Sequence, residues 1–304
     1  MNSFSNNETQ HLLSNTANSR EEGVNFRNES VSVSRFFAEF CEEDTCEGCS
    51  APAKAQLPPH WIRKHYPTVP TTMEVIAIDA APAGEVWMVS TDFQTRGHGQ
   101  VGTLWESDCG ENLMFTFVYR PKDVRATEQF YLSEIACLAV AQTLDAYVEG
   151  VSVKWPNDVY VGEKKICGML LNHQLKGAMV ESTMVGIGIN VNQSQFVSDA
   201  PNPISLQQLL GHRIDTEAVL ESFVRHFETL YALWLAGDKT RLATAYQQRL
   251  FRREGVHPYE DTATGERFWA TIEQVAPTGL LTLRDNAGDL RTFDFKAVKF
   301  LLES

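Results

Sequence analysis

The sequence predicts an α+β fold followed by a small β-barrel. Strand and helix patterns alternate from Thr71 to about residue 250, and two long segments in this stretch have apolar residues at helical spacing. After Arg253 the pattern changes to short strands separated by turn residues. A chain of 304 residues is long enough for one large domain and one small domain.

Three parts can be distinguished along the chain. Residues 1–55 are polar and lack sustained periodicity, so they cannot bury a core and we expect a disordered tail. The tail contains Cys41, Cys46 and Cys49, but no fourth metal ligand at a suitable spacing follows them. We expect residues 56–252 to form the main domain and residues 253–304 to form the barrel.

The main domain is predicted to contain a sheet with long helices packed on it. The helical segments are residues 126–148, 216–235 and 241–250. The predicted strands are residues 85–92, 113–119, 152–155, 165–171 and 180–191. In the barrel, the predicted strands are residues 268–275, 279–283 and 290–295.

Composition and charge exclude several classes of protein. The formal net charge of −13 argues against a broad nucleic-acid surface, which requires clustered lysine and arginine. The sequence contains no stretch of eighteen apolar residues, so we expect no transmembrane helix. The first twenty residues lack the apolar segment of a secretory signal, so we expect a cytoplasmic protein.

A glycine-rich segment follows the first predicted strand. Gly97, Gly99 and Gly102 lie between Gln94 and Trp105. Glycine lets the backbone approach a ligand closely, and successive amides can form an anion-binding nest. A plain surface turn is an equally good interpretation of these glycines alone, and the spacing matches neither a Walker loop nor a dinucleotide fingerprint.

The sequence Lys154-Trp155-Pro156-Asn157-Asp158 comes directly after another predicted strand. Proline and Asn-Asp are typical of a strand end and turn, which is the simpler interpretation. The amide and carboxylate oxygens also suit Mg²⁺ with a bound nucleotide, since hard cations prefer oxygen ligands.

Two further strands carry candidate ligand-binding residues. Lys164 and Lys165 open a strand that contains Gly168, and a lysine that points into a pocket can hold a carboxylate and a phosphate together. In residues 186–192, glycine and asparagine alternate with apolar residues, so the small and polar residues share one face. A solvated strand end and a tightly packed buried strand remain the alternatives.

The order of these four motifs resembles the catalytic domain of biotin–protein ligases, and the C-terminal barrel is similar to that family's end domain. The resemblance covers about residues 60 to 304, and its KWPND segment distinguishes it from the related lipoate ligases. It implies a mixed central sheet with helices on one face, as in class II synthetase-like ligases, followed by an SH3-like barrel. It also leads us to expect no winged-helix domain.

The resemblance implies a role for each matching residue. Lys165 and Gln100 occupy the catalytic positions, and Asp158 is the candidate ligand for Mg²⁺. The biotin-binding positions are Thr71, Thr72, Met73, Gln94, His98, Gly99, Gln100, Lys165 and Gly168. The ATP-binding positions are Gly97, Gly102, Trp105, Lys154, Asn157, Asp158 and Asn190.

The chain departs from the family pattern at several of these positions. Met73 replaces the asparagine of a Ser-Thr-Asn signature, which removes one expected polar contact to biotin. His98 replaces a loop arginine, and Gln100 and Val101 replace two more. Arg96 could supply positive charge from the neighbouring side of the loop.

The implied activity is an ATP-dependent ligation. Biotin and ATP would form biotinyl-5′-AMP with the help of Mg²⁺, and biotin would then pass to a lysine of a biotin carboxyl carrier domain. The alternatives are a lipoate or octanoate ligase, a biotin-responsive regulator and an inactive binding module. The acceptor and the oligomeric state, including a homodimer, stay open.

Overall fold

The computed structural model describes residues 58, 60–99, 104–197 and 202–302. The predicted tail and its cysteine cluster lie outside the described residues, as do Gln100 and Gly102. Within the described part there are twelve strands: β1 (Trp61–Val69), β2 (Val86–Gln94), β3 (Leu113–Tyr119), β4 (Val151–Lys154), β5 (Asp158–Val161), β6 (Lys164–Lys176), β7 (Met179–Ile189), β8 (His257–Asp261), β9 (Arg267–Val275), β10 (Leu281–Asp285), β11 (Leu290–Phe293) and β12 (Val298–Phe300).

Five α-helices connect or cover these strands. They are α1 (Thr72–Val75), α2 (Phe130–Leu144), α3 (Leu206–Leu210), α4 (Thr216–Leu235) and α5 (Lys239–Gln248). A 3-10 turn, Ala126–Glu128, precedes α2, so the helix predicted over residues 126–148 is shorter than expected. None of the described helices has the length and apolar character needed to cross a lipid bilayer.

The first seven strands form a mixed sheet in the order β1-β2-β3-β7-β6-β5-β4. β1 runs parallel to β2, and all other neighbours are antiparallel. The predicted mixed central sheet is therefore confirmed. β1 was not predicted, because Arg63, Lys64, His65 and Pro67 interrupt its apolar pattern, and an edge strand tolerates such residues.

The long helices cover one face of this sheet, which we call the helix face. Alternate residues of β3 point toward α4, where Phe115 packs on Phe223 and Phe117 packs on Phe227 with ring centroids 5.1 and 5.0 Å apart. Because successive side chains of a strand point to opposite faces, Thr116 points away from the helices. The long helices do not cover the other face, which we call the cleft face.

Helix α2 lies at the centre of the main domain. Fourteen of its fifteen residues are buried, so it has no solvated side. It packs between the sheet and the helices α4 and α5. A mostly apolar helix is expected at such a position, because it can bury every face.

The remaining strands form a second, antiparallel sheet in the order β11-β10-β9-β8-β12. β11 and β12 stand at opposite ends of this order, yet Phe293 and Phe300 both belong to the core around Tyr259 and Phe268. Ring centroids in this cluster are 5.0 Å apart for Tyr259 and Phe300 and 5.8 Å for Phe268 and Phe293. Both edge strands of the C-terminal sheet thus contribute to one aromatic cluster, as expected of a sheet that curves toward the predicted barrel.

Glu134 of α2 is a carboxyl group inside the core, with only 2% of the residue exposed. Its Oε2 has no hydrogen-bond partner among the described residues. Burial raises the pKa of Glu134 to about 8, because the charged form is poorly solvated there. The folded protein therefore holds a proton that the unfolded chain releases at lower pH.

This raised pKa makes the stability pH-dependent. The contribution of Glu134 is fully present below its unfolded pKa and is lost as the pH rises toward about 8. Glu134→Gln should remove that loss, so its gain over the parent should grow by roughly 3–4 kcal/mol between about pH 5 and pH 8. Urea unfolding at several pH values measures this difference. The exposed variant Glu149→Gln should show no such growth, and a constant Glu134→Gln difference would contradict the assignment.

Candidate active site

Three glycines leave the cleft face of the sheet without side chains at its centre. Gly168 of β6 pairs with Gly188 of β7, and Gly186 lies two residues before Gly188. A Cβ added at Gly188 would overlap the indole of Trp105, and one at Gly186 would lie 2.8 Å from the sulfur of Met73. These glycines therefore let large side chains lie directly on the strands.

A cleft of about 1160 Å³ lies over this glycine surface. Most of the predicted site residues line it: Thr71, Thr72, Met73, Gln94, His98, Gly99, Trp105, Lys154, Asn157, Asp158, Lys165, Gly168 and Asn190. Gly97 does not line it, but the Gly97 carbonyl accepts a 3.0 Å hydrogen bond from the Trp105 amide. The structure thus gathers residues from four separate sequence motifs around one cavity.

One end of the cleft holds a neutral polar cluster. Thr71 caps α1, and the Thr72 amide donates a 2.8 Å hydrogen bond to Gln94 Oε1. The Gln94 Nε2 donor lies beside Gly97, 3.1 Å from where a Cβ of that glycine would stand. The hydroxyls of Thr72 and Thr116 are 2.8 Å apart. Thr116 is fully buried and was not predicted, since a single threonine in an apolar strand gives no functional signal.

A charged cluster lies elsewhere in the same cleft. Lys165 Nζ is 2.8 Å from Asp158 Oδ1, and about a quarter of each side chain is exposed. Lys154 is more deeply buried, with its ammonium 5.2 Å from the Tyr160 ring centroid and 5.4 Å from that of Phe300. Burial lowers the pKa of Lys154, while the nearby Asp158 carboxylate opposes that shift. These groups can hold an anionic substrate.

Two buried polar atoms in the cleft lack partners among the described residues. Asn190 donates its Nδ2 to the Ile204 carbonyl at 3.1 Å, but its Oδ1 accepts no hydrogen bond there. Trp105 Nε1 is likewise buried without an acceptor in the described part of the chain. A buried polar group without a partner is costly, so both atoms are suited to meeting a ligand.

The C-terminal sheet also contributes to the cleft. Lys296, Val298, Lys299 and Phe300 are among the lining residues, and none of them was predicted from the sequence. Trp155 anchors this contact, because its Nε1 donates a 2.9 Å hydrogen bond to the Gly279 carbonyl. The KWPND turn is therefore held from the side of the C-terminal sheet.

Arg96 does not supply charge to the cleft. Its guanidinium forms a 2.9 Å ion pair with Glu74, and 69% of its side chain is exposed. His98 does line the cleft, and its Nδ1 is 3.4 Å from the Arg96 carbonyl. The described part of the loop thus offers histidine and backbone to a ligand, without an arginine.

Comparison with known proteins shows the family of this chain. A model of the biotin/lipoate A/B protein ligase family matches residues 67–192. The bifunctional ligase/repressor BirA of Bacillus subtilis (strain 168) is 33% identical over 71% of this chain and 66% of its own length. The chain belongs to the biotin–protein ligase family.

The relatives differ in how much of their own length this chain covers. The biotin–[acetyl-CoA-carboxylase] ligase of Paracoccus denitrificans is 28% identical over 72% of this chain and 92% of its own length. The chain spans only half of the BirA of Bacillus spizizenii and 66% of the Bacillus subtilis protein. The fold is similar to that of the Aquifex aeolicus biotin protein ligase in complex with biotin and ATP, with a TM-score of 0.63 and 20% identity over 79% of this chain and 99% of that one.

The contact between Gly188 and Trp105 can be tested by adding one methyl group. Gly188→Ala should push the indole off the sheet and destabilise the protein by about 1–3 kcal/mol, as overpacking does. The emission of Trp105 is isolated by subtracting the spectrum of the matching variant that also carries Trp105→Phe. In Gly188→Ala this emission should shift to longer wavelength. Gly186→Ala is the matched control, because its added Cβ would meet the flexible end of Met73 and, at 3.4 Å, the Thr116 hydroxyl, but not the indole. An unchanged emission spectrum in Gly188→Ala would show that the indole lies elsewhere.

Proposed function

We propose that this chain is an ATP-dependent ligase that forms biotinyl-5′-AMP and transfers biotin to a lysine of a biotin carboxyl carrier domain. The observation that carries the proposal is the single cleft, which joins a neutral hydrogen-bonding end to a lysine–aspartate pair and an unpartnered asparagine oxygen. The names of the relatives, which include biotin–[acetyl-CoA-carboxylase] ligase, support the same reaction.

The neutral end suits the head group of biotin. A cyclic urea offers one carbonyl acceptor and two N–H donors, and Thr71, Thr72 and Gln94 provide both kinds of partner. Met73 lies against Gly186 and offers a polarisable sulfur in place of an amide. We assign these four residues to biotin recognition.

Lys165 is assigned to the reacting atoms. The biotin carboxylate attacks the α-phosphorus of ATP, the P–O bond to the β-phosphate breaks, and pyrophosphate leaves. Two anions must meet in this step, and a lysine that lies between them offsets their repulsion. The 2.8 Å contact with Asp158 holds Lys165 ready in the cleft, and Gly168 leaves room beside its ammonium.

Asn190 and Trp105 are assigned to the adenine. The exocyclic amine of adenine is a donor that matches the unpartnered Asn190 Oδ1, whereas guanine presents an acceptor there. The indole of Trp105 offers a flat apolar surface for the base. Lys154, Asn157 and the loop residues Gly97, His98, Gly99, Gln100 and Gly102 remain predicted ligand contacts.

Asp158 fits a magnesium ion only as one ligand among several. Among the described residues, no group of three or more His, Cys, Asp or Glu side chains gathers for a metal. Mg²⁺ normally keeps several waters and binds through one or two carboxylates together with substrate phosphates. When bound, it would supply charge neutralisation at the phosphates. Asp158 would be its carboxylate ligand.

The remaining predictions complete the proposal. We place the protein in the cytoplasm, leave a homodimer open, and expect no nucleic-acid partner because of the net charge of −13. We keep a domain boundary near residue 252, although one continuous hydrophobic core includes Tyr246 and Phe251 on one side of it and Tyr259 on the other.

The direct test is to incubate the full chain with ATP, Mg²⁺, biotin and a purified biotin carboxyl carrier domain. Intact mass should show the gain of one biotinyl group on the acceptor, and omission of ATP should abolish the gain. Pyrophosphate release with biotin alone separates the first step from the transfer. An acceptor that stays unmodified, with no pyrophosphate released, would reject the proposed function.

Removal of the Lys165 ammonium should slow adenylate formation. Lys165→Ala should raise the barrier by about 2.7–4 kcal/mol, comparable to the loss of one preorganised charge-stabilising donor. The readout is the first-turnover rate of pyrophosphate release. Lys164→Ala is the matched control, because this neighbouring lysine is exposed and does not line the cleft. Normal release by Lys165→Ala would refute the assignment.

Removal of the Asn190 amide should weaken ATP binding selectively. Asn190→Ala should raise the KM for ATP by about tenfold, equivalent to about 1.4 kcal/mol, and leave the KM for biotin near the parent value. The preference for ATP over GTP should also fall.

Asn192→Ala is the control for the Asn190 variant. Asn192 makes two hydrogen bonds to the Ile214 backbone, at 2.8 and 2.9 Å, and does not line the cleft. An equal rise of the ATP KM in both variants would point to a structural effect and remove Asn190 from the site.

A further inference from the structure

A second cavity, of about 370 Å³, adjoins the substrate cleft. The two share Pro156, Asn157, Leu170 and Lys296 as lining residues. The rest of the smaller cavity is formed by the first turns of α2, by β6 and by the C-terminal sheet. Because the shared wall contains part of the KWPND turn, a group that passes this wall arrives beside the pair formed by Asp158 and Lys165.

The transfer step of the proposed reaction needs an approach of this kind. The acceptor is a macromolecule, and only one lysine side chain of it has to reach the carbonyl carbon of the adenylate. In the proposed reaction the cleft already receives two small substrates. A separate route past the KWPND turn would let the lysine enter while the activated biotin stays bound.

The lining of the smaller cavity suits a lysine side chain. Phe130, Leu171 and Phe295 provide apolar walls, and the methylene stem of a lysine packs favourably along such surface. Phe130 and Phe295 have ring centroids 6.0 Å apart, and both rings lie within 2.8 Å of where a Cβ of Gly279 would stand. The aromatic wall is therefore held in place by the turn of the C-terminal sheet.

The titratable groups of this cavity are His173 and Lys296, of which Lys296 lies on the wall that the cavity shares with the cleft. Burial lowers the pKa of His173 to about 4, so its imidazole is neutral near pH 7 and adds no further charge. Only a neutral amine has the lone pair that attacks a carbonyl.

We propose that the second cavity is the port through which the acceptor lysine reaches the activated biotin, an inference that rests on the proposed ligase function. The amine nitrogen forms a bond to the biotinyl carbonyl carbon. The bond from that carbon to the phosphate oxygen breaks, and its electron pair leaves with AMP. The surplus proton of the new amide nitrogen passes to water.

The test narrows the port without touching the substrate cleft. Thr278 is exposed in the turn between β9 and β10 and lines only the smaller of the two cavities. Thr278→Trp should lower kcat/KM for the purified carrier domain by at least about tenfold, equivalent to about 1.4 kcal/mol. First-turnover pyrophosphate release with ATP and biotin alone should stay within about twofold of the parent rate.

Two further variants make the test decisive. Gln129→Trp narrows the cavity from the start of α2 and should reproduce the selective loss of transfer, even if Thr278→Trp fails to fold. Thr264→Trp places the same large side chain on an exposed turn of the C-terminal sheet that lines neither cavity, and it should transfer biotin normally.

The opposing outcomes are distinct. Parental transfer by folded Thr278→Trp and Gln129→Trp would overturn the port, and so would an equal loss of pyrophosphate release and transfer in both. Absence of pyrophosphate release in the parent would instead reject the ligase function on which the port depends.

Discussion

The pairing of β6 with β7 is the contact on which both the core and the cleft depend. On the helix face, Met169 and Ile187 are paired and buried in the core. On the cleft face, the same two strands bring Gly168 opposite Gly188, where Trp105 lies against the backbone. A shift of this register by one residue would move the apolar side chains into the cleft and the glycines into the core.

The two lysines that the main sheet contributes to the cleft differ in their burial and in their neighbours. Lys154 is the more buried of the two lysines contributed by the main sheet, and the aromatic rings of Tyr160 and Phe300 compensate part of its lost hydration. Lys165 is less buried and is paired with Asp158, so its charge remains available to an entering anion. The contacts differ accordingly: Lys154 lies over the Phe300 ring of β12, whereas Lys165 pairs with Asp158.

The sequence predicted the strongly periodic elements well and the short or polar ones poorly. The bounds of β3 and α4 agree with the structure because each buries a regular set of large apolar residues. β1, β5, β8 and β12 were missed, since an edge strand rich in basic residues and strands of three to five residues give little periodic signal. Most of the motif residues that the structure describes line one cleft, but Thr116 and the lining residues of β12 were not predicted. Their roles depend on tertiary contacts, and no local pattern distinguishes such residues from ordinary strand residues.

The link between the KWPND turn and the C-terminal sheet explains why these distant parts of the sequence must act together. Trp155 donates to the Gly279 carbonyl, and Tyr246 of α5 donates to the Pro156 carbonyl at 3.0 Å. The turn is thus held on both sides of its proline by groups that lie about ninety or more residues later in the chain. Because Asp158 follows this turn directly and pairs with Lys165, movement of the C-terminal sheet would be transmitted to the charged pair. In the proposed ligase, Lys165 would then meet an anion from a fixed position, and a preorganised charge stabilises an anion better than a mobile one.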